Sequence, residues 1–204
     1  MQTWRSGQSG GNHLKRWIVM LSGMGLLFFC GCLRVEEEIT LKKSGAGAFR
    51  VHVVVSAAVW QFLQYSPAAQ RWYEPAKGKA FLTEGGDISV TRYQVRTYQG
   101  NHELLVEGHF RSLNSNVIQK LLPGAQLRHQ GSAGVLTIPW QPLPLEQAKE
   151  QQAKGARWVF RFIAPRKLRV PKGASVKQQR IGEIDLLKLS LADHPPSELV
   201  LEYE

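Results

Sequence analysis

The sequence predicts an α+β fold of mostly antiparallel strands, with two to three helices packed on the sheet. Three observations predict it. Apolar and polar residues alternate over several short stretches, glycine-containing turns join these stretches in pairs, and only a few segments have helical spacing. We find no internal repeat and no second domain boundary, which indicates one domain.

Alternation places the strands. Residues 35–41 and 49–55 alternate around a Ser-Gly-Ala-Gly turn, and residues 88–98 and 102–110 alternate around Gly100, so each pair predicts a hairpin. Further strands are predicted at 125–129, 135–140, 158–162, 168–170, 184–191 and 199–203.

Helical spacing is found in three places. Ser56 is a suitable N-cap for a helix that reaches about Tyr65. Residues 113–122 bury one side and end at Pro-Gly, with Ser112 or Asn114 as the cap, and residues 145–154 suit an exposed helix. Residues 66–86 contain two prolines and three glycines and predict an irregular stretch with at most another helical turn.

The N-terminus has the order of an export signal. A basic region ends in Lys15-Arg16, and the uncharged apolar residues 17–29 are too few to span a bilayer, which takes about 20. The junction Phe29-Cys30-Gly31-Cys32 resembles the bacterial lipobox, in which a small residue precedes a lipid-modified cysteine. By this resemblance residues 1–31 are a lipoprotein signal peptide, Cys32 carries the lipid, and residues 32–204 form the envelope domain.

A plain membrane anchor or a buried N-terminal helix would also account for the apolar stretch. Either way, strand-like sequence begins at Val35, and three or four extended residues reach only about 13 Å. We therefore expect the domain to sit close to the membrane. Leu33, and not an aspartate, follows Cys32, which by analogy with enteric bacteria favours the periplasmic face of the outer membrane in a two-membrane cell.

Charge and cysteine content narrow the partners. The formal net charge is +10, which favours anionic partners, and export excludes nucleic acid among them. The two cysteines, Cys30 and Cys32, both belong to the signal junction, so the folded part has no disulfide, zinc-thiolate cluster or thiol nucleophile. We expect no cofactor and no metal.

A basic stretch covers residues 157–180, which carry no acid. One interpretation is a solvated outer face that keeps the protein soluble. The other is a surface for anionic headgroups, in which each charge near an anionic membrane contributes about 1 kcal/mol. On the second interpretation the headgroup contacts are Arg161, Arg166, Lys167 and Arg169.

A second group is aromatic and lies in and after the first predicted helix. Its members are Trp60, Phe62, Tyr65, Trp72 and Tyr73. They either pack in the core or form the wall of an apolar cleft or a membrane-contacting lip, where aromatic side chains with a polar end are favoured. For the second case the candidate ligand residues are Trp60, Phe62 and Trp72.

Signs of catalysis are few, and we expect a protein that is not an enzyme. His102-Glu103-Leu104-Leu105-Val106 begins like a zinc-protease motif but lacks the second histidine and lies in a strand-like stretch. The sequence has no Gly-x-Ser-x-Gly elbow and no phosphate-binding loop.

Two segments carry a resemblance to a known family. Cys32-Leu33-Arg34-Val35 leads into the first hairpin, and Phe160-Arg161-Phe162-Ile163-Ala164-Pro165 precedes a basic strand. Over residues 32–56 and 157–192 the chain resembles the LppM-type lipoprotein domain, although Pro171-Lys172-Gly173-Ala174 stands where that family has an Asn-Gly turn. The resemblance implies an α+β envelope module with a lipid- or glycolipid-binding role.

Three hypotheses follow. The first is a lipid-anchored envelope protein that binds a lipid or anionic glycolipid at the membrane surface. The alternative is a structural or assembly lipoprotein that docks to another envelope protein through an unpaired strand edge, for which residues 199–203 are the candidate. The third, a hydrolase, requires a clustered acid–base pair.

Overall fold

The computed structural model describes residues 33–130 and 133–204, which contain eleven strands and six helices. The α+β prediction is confirmed, with more helices than the two or three expected. The strands are β1 (Leu33–Leu41), β2 (Gly47–Val55), β3 (Ile88–Tyr98), β4 (Asn101–Phe110), β5 (Gln126–Gln130), β6 (Ala133–Pro139), β7 (Arg157–Ile163), β8 (Leu168–Arg169), β9 (Ser175–Lys177), β10 (Ile181–Asp185) and β11 (Glu198–Tyr203). The helices are α1 (Ala57–Leu63), α2 (Pro67–Tyr73), α3 (Pro75–Thr83), α4 (Ser115–Leu121), α5 (Leu145–Ala153) and α6 (Leu186–Ser190).

Seven strands form the larger sheet, in the order β3-β4-β2-β1-β7-β10-β9. The pairs are antiparallel except for β1 and β7, which run parallel with Arg34 opposite Arg157 and Thr40 opposite Ile163. A parallel pair needs a long connection, and here the chain from β2 to α5 supplies it. β1 therefore lies in the middle of the sheet, between a partner close in sequence and a distant one.

The smaller sheet has the order β5-β6-β11-β8. β11 pairs with β6 along its whole length and with β8 on its other side. The expectation that residues 199–203 offer a free edge is therefore wrong at Glu202 and Tyr203, where β8 occupies the second edge of the strand, whereas among the described strands residues 199–201 pair with β6 alone.

Two other expectations are wrong in their secondary structure. Residues 66–86 hold the helices α2 and α3, which begin at Pro67 and Pro75, because proline is favourable in the first turn of a helix. Residues 184–191 are not a strand throughout. Asp185 ends β10 and accepts a hydrogen bond from the Lys188 backbone N–H at 3.0 Å, which caps α6.

The core lies against one face of the larger sheet, which we term the inner face. On β1 this face carries Leu33, Val35, Glu37, Ile39 and Leu41, all buried except the half-buried Glu37. The residues between them face the opposite side, the outer face, which is largely polar. The alternation predicted over residues 35–41 is confirmed except at Glu37, which puts a carboxyl group in the middle of the apolar side of β1.

Candidate functional site

The site is built at one end of the larger sheet, where β1 begins. Leu33 lies beside Val55 at the end of β2, and Arg34 lies beside Arg157 at the start of β7. We call this the proximal end and the opposite one the distal end. Leu33 directly follows Cys32 in the sequence, and Cys30 and Cys32 lie outside the described residues.

Exposed apolar side chains are concentrated at the proximal end. Among the described residues five large apolar side chains are exposed, and four of them belong to segments at this end. We call these four the apolar rim: Phe62, Tyr65, Tyr98 and Leu145, which are 62%, 78%, 64% and 50% exposed. The fifth, Val176, lies on the edge strand β9, opposite Gly182 of β10.

Local structure places the rim. Ser56 caps α1 by accepting a hydrogen bond from the Val59 N–H, and Val59 is fully buried against Leu33, Val35 and Val55. α1 is thereby fixed across the proximal end with Phe62 outside. Tyr98 ends β3 opposite Asn101, one position beyond the Thr97–His102 pair.

The predicted aromatic residues separate into packed and exposed ones. Trp60 lies between two rings, 4.4 Å from that of His102 and 4.5 Å from that of Tyr73. Trp72 packs edge-on against Phe81 at 5.9 Å, and its carbonyl accepts a hydrogen bond from the Tyr93 hydroxyl at 2.5 Å. Trp60 and Trp72 are therefore partly buried packing residues, and Phe62 is the predicted ligand residue that is exposed in the rim.

Two arginines stand together at the proximal end. Arg34 and Arg157 are opposite each other in the parallel pair, on the outer face, and both are exposed. A carboxylate oxygen of Glu36 lies 3.8 Å from Arg157 Nη1 and offsets part of their charge. Sequence reasoning did not bring these two residues together, because no local signal indicates that β1 and β7 are neighbours.

The predicted headgroup residues are spread over the fold. Arg166 and Lys167 follow the distal end of β7, and seven residues of strand separate that end from Arg157 by about 20 Å. Neither has an ion pair with another residue in the described parts of the chain. Arg169 lies on β8 of the smaller sheet, with its Nη1 3.6 Å from Glu202. The structure thus does not bring Arg166 or Lys167 to Phe62.

Arg161 belongs to a row of alternating charges across the outer face. Its Nε donates to Glu183 at 2.9 Å, and its Nη1 lies 3.9 Å from Glu38. The hydrogen bond between Arg161 and Glu183 raises the pKa of Arg161 and lowers that of Glu183. In register across the sheet the row reads Arg92, Glu107, Arg50, Glu38, Arg161 and Glu183.

This row explains part of the basic stretch. Opposite charges placed across strands stabilise a sheet, so acids on β1 and β10 balance the arginines of β7. The acid-free stretch of sequence is therefore not an acid-free surface at Arg157 and Arg161.

One histidine–carboxylate pair is present on the outer face. His52 Nε2 lies 2.7 Å from Glu103 Oε1, and Arg96 Nε donates to the other oxygen of the same carboxylate. The Arg96 hydrogen bond, followed by that of His52, lowers the pKa of Glu103. Among the described residues no serine or threonine hydroxyl hydrogen bonds to His52, and no three His, Cys, Asp or Glu side chains converge as metal ligands.

The pocket beside the rim is small. An apolar pocket at the proximal end, lined by Leu33, Trp140, Leu143, Trp158 and Leu187, has an open volume of about 10 Å³, near the minimum for one water molecule. A polar depression of about 350 Å³ lies at the distal end, between Lys42, Asp87, His109 and Arg111. The rim is therefore an exposed surface beside a pocket that has room for about one water molecule.

The solved structures that are similar to this chain in outline include one of a lipoprotein domain. It is the NMR structure of the folded domain of LppM from Mycobacterium tuberculosis, 12% identical, with 86% of this chain and 92% of that chain covered at a TM-score of 0.42. No protein-family model and no curated protein sequence matches the chain. In residues 33–130 and 133–204 no helix has both the length and the apolar character needed to cross a membrane.

Proposed function

We propose that this protein is a lipid-anchored, non-enzymatic envelope lipoprotein whose proximal end rests on the membrane surface and binds lipid there. The observation that carries the proposal is the apolar rim. Four exposed apolar side chains lie at the end of the fold to which Cys32 is joined. A lipid on Cys32 would hold this end, and no other, against the bilayer.

The chemistry of the rim suits that position. Tyrosine, which is apolar with a polar tip, is favoured at the boundary between lipid and water, and Phe62 and Leu145 can enter the apolar layer beneath it. Fully burying one such side chain contributes about 1.5–3 kcal/mol. The exposure of these apolar side chains is unfavourable in water, and their burial in a membrane therefore stabilises the bound state.

The arginine pair favours a lipid with a negatively charged headgroup. Arg34 and Arg157 lie on the outer face at the same end as the rim, where they can contact headgroups while the rim enters the bilayer. Each basic side chain near an anionic surface contributes about 1 kcal/mol. We therefore infer that the ligand class is an anionic phospholipid or glycolipid.

Vesicle flotation tests the proposal. The chain without residues 1–32 is mixed with vesicles of phosphatidylglycerol and phosphatidylcholine, and the bound fraction is compared with that of a Phe62→Ser, Tyr98→Ser variant. We expect the variant to bind at least about tenfold more weakly, because two apolar anchors are lost. The matched control is Val176→Ser, which removes an exposed apolar side chain outside the rim and is expected to bind like the wild type.

Three outcomes contradict the proposal. Equal binding by the rim variant and the Val176→Ser control, with circular dichroism unchanged, excludes the rim as the contact. Loss of binding when Arg161, Arg166, Lys167 and Arg169 are changed to serine, with the rim intact, moves the site to the distal half of the fold. An envelope protein that crosslinks to the rim in the absence of vesicle binding favours the assembly role instead.

A further inference from the structure

The middle of the inner face carries one carboxyl group, that of Glu37. β1 is the central strand of the larger sheet, and Glu37 is the central residue of its apolar side. Its neighbours two positions away, Val35 and Ile39, belong to two separate core clusters. Glu37 therefore lies where these two clusters meet.

The cross-strand neighbours of Glu37 are apolar. Val51 lies opposite on β2 and Phe160 on β7, and the same row continues to Val106 and Ile184. Within the described residues the carboxyl group has no hydrogen bond and no ion pair. Three residues that pack against both core clusters, Val53, Tyr73 and Trp158, are like Glu37 only partly buried.

Within residues 33–130 and 133–204, no cationic side chain offsets a negative charge on Glu37. The inner faces of β2, β7 and β10 carry no titratable side chain. The nearest elements contribute tyrosines and a histidine whose neutral form is favoured. Two cations of the covering helices contact the core ring of Phe81 and are engaged elsewhere: Arg71 lies over this ring at 5.0 Å, and Lys120 is held by the carbonyls of Leu82 and Glu84. Among the described residues, the titratable side chains that belong to the core clusters or contact their aromatic rings are Tyr73, Tyr93, His102, Tyr203, Arg71 and Lys120.

An ionised carboxylate is unfavourable in such a place, because apolar surroundings replace water around the charge without a compensating partner. Desolvation accordingly raises the pKa of Glu37 from 4.5 to about 7. The group is neutral when the fold is packed in mildly acidic solution and becomes charged close to neutrality.

We propose that Glu37 is a proton-binding site at the centre of the sheet: the two core clusters pack tightly when its carboxyl group is protonated, and they loosen when the proton is lost. The direction follows from linkage. The folded state holds the proton more tightly than the unfolded state, so the stabilisation is fully present below about pH 4.5 and is lost as the pH rises through about 7.

Urea unfolding of the full chain in mild detergent, followed by tryptophan fluorescence at several pH values, tests this proposal. For the wild type we expect the unfolding equilibrium constant to rise by about two orders of magnitude between pH 5 and pH 8 relative to Glu37→Gln. The amide of glutamine keeps the shape and cannot ionise. The matched control is Glu38→Gln, which alters the adjacent residue on the outer face and should keep the pH dependence of the wild type.

Parallel pH dependence of the wild type and Glu37→Gln would overturn the proposal. If Glu37→Gln does not fold, direct titration replaces it. The carboxyl carbon of Glu37, followed by NMR in the wild type, is expected to titrate near pH 7. A midpoint near 4.5, the ordinary value for the group, would show that no proton is retained in the folded state.

Discussion

The indole ring of Trp60 stacks on the imidazole ring of His102, with 4.4 Å between their centroids and 20° between their planes. Trp60 lies on α1, which also carries Phe62 of the apolar rim, and His102 lies on β4 of the larger sheet. Thr97 Oγ1 lies 3.2 Å from His102 Nδ1 and orients the imidazole. The stack thus packs α1, the helix that carries Phe62, against the larger sheet.

We expect acid to weaken this attachment. Burial lowers the pKa of His102 below 6.5, so protonation is less favourable in the folded chain than in the unfolded one. The stabilisation is fully present above pH 6.5 and is lost as the pH falls through the lowered pKa. Urea unfolding of Glu37→Gln, with and without His102→Gln, should show a steeper loss of stability toward acid when His102 is present.

The Glu37→Gln background is needed because Glu37 acts in the opposite direction over the same range of pH. Equal slopes with and without His102 would contradict the prediction. A chain that gains stability toward acid through His102 would mean that the indole face holds the imidazolium by cation–π attraction.

Membrane binding is expected to depend on the arginine pair and on salt. Changing Arg34 and Arg157 to glutamine removes two charges at the proximal end, which at about 1 kcal/mol each weakens binding to anionic vesicles by roughly tenfold or more. Binding to neutral vesicles should not change. The matched control changes Arg166 and Lys167, two exposed cations of the distal half, and is expected to retain the affinity and salt dependence of the wild type.

The reverse result, in which Arg166 and Lys167 carry the salt dependence, would contradict the proximal site. It would favour the headgroup residues predicted from the sequence. Flotation of both variants at several salt concentrations distinguishes the two sets of residues. Exposed charges are screened within about 10 Å at 0.1 M salt, so the salt dependence of binding is lost in the variant that lacks the membrane-contacting charges.

Hairpins could be predicted from the sequence because their register and turn lie within one short segment. The pairing of β1 with β7 could not be predicted, because the sequence of each strand shows only its own alternation and does not indicate which strand it pairs with. The same limit hid the adjacency of Arg34 and Arg157. It also hid the acids Glu38 and Glu183, which flank Arg161 from two other strands.

Helices α2 and α3 were missed for a different reason. Pro67 and Pro75 end helical patterns when they stand inside them, yet both stand here at the first helical position, where the missing N–H is not needed. Of the rim, Phe62 was among the predicted ligand residues. Tyr98 and Leu145 were not, because exposure at the end of a strand or helix leaves no periodic signal.

Because Gly78 is closely packed, we predict that replacing it with alanine lowers the stability of the fold, the opposite of the usual effect in a helix. In an exposed helix, Gly→Ala raises stability by about 1 kcal/mol. In α3, a Cβ at Gly78 would lie 1.8 Å from the Tyr93 hydroxyl and 2.4 Å from its Cζ. We therefore expect Gly78→Ala to lower the free energy of unfolding by about 1–3 kcal/mol, the usual cost of overpacking.

Thermal unfolding of Gly78→Ala in the wild-type and Tyr93→Phe backgrounds provides the check. Tyr93→Phe removes the closest atom, so the cost of the alanine should be smaller there, and the difference measures the contact. Tyr93→Phe alone also loses the hydrogen bond to the Trp72 carbonyl, which the cycle subtracts. An alanine that stabilises both backgrounds would show that Tyr93 does not press on this helix.

The anchor itself is tested by intact mass spectrometry. A basic region, a short apolar stretch and the Phe29-Cys30-Gly31-Cys32 junction predict a chain that begins at Cys32 and carries a diacylglycerol-sized excess of mass. Cys32→Ser should lose that mass, whereas Cys30→Ser, the matched control, should keep it. An unmodified full-length chain in the wild type would remove the lipid from the proximal end. Membrane contact would then rest on the rim and the arginine pair alone, whose combined affinity the flotation experiment measures without the anchor.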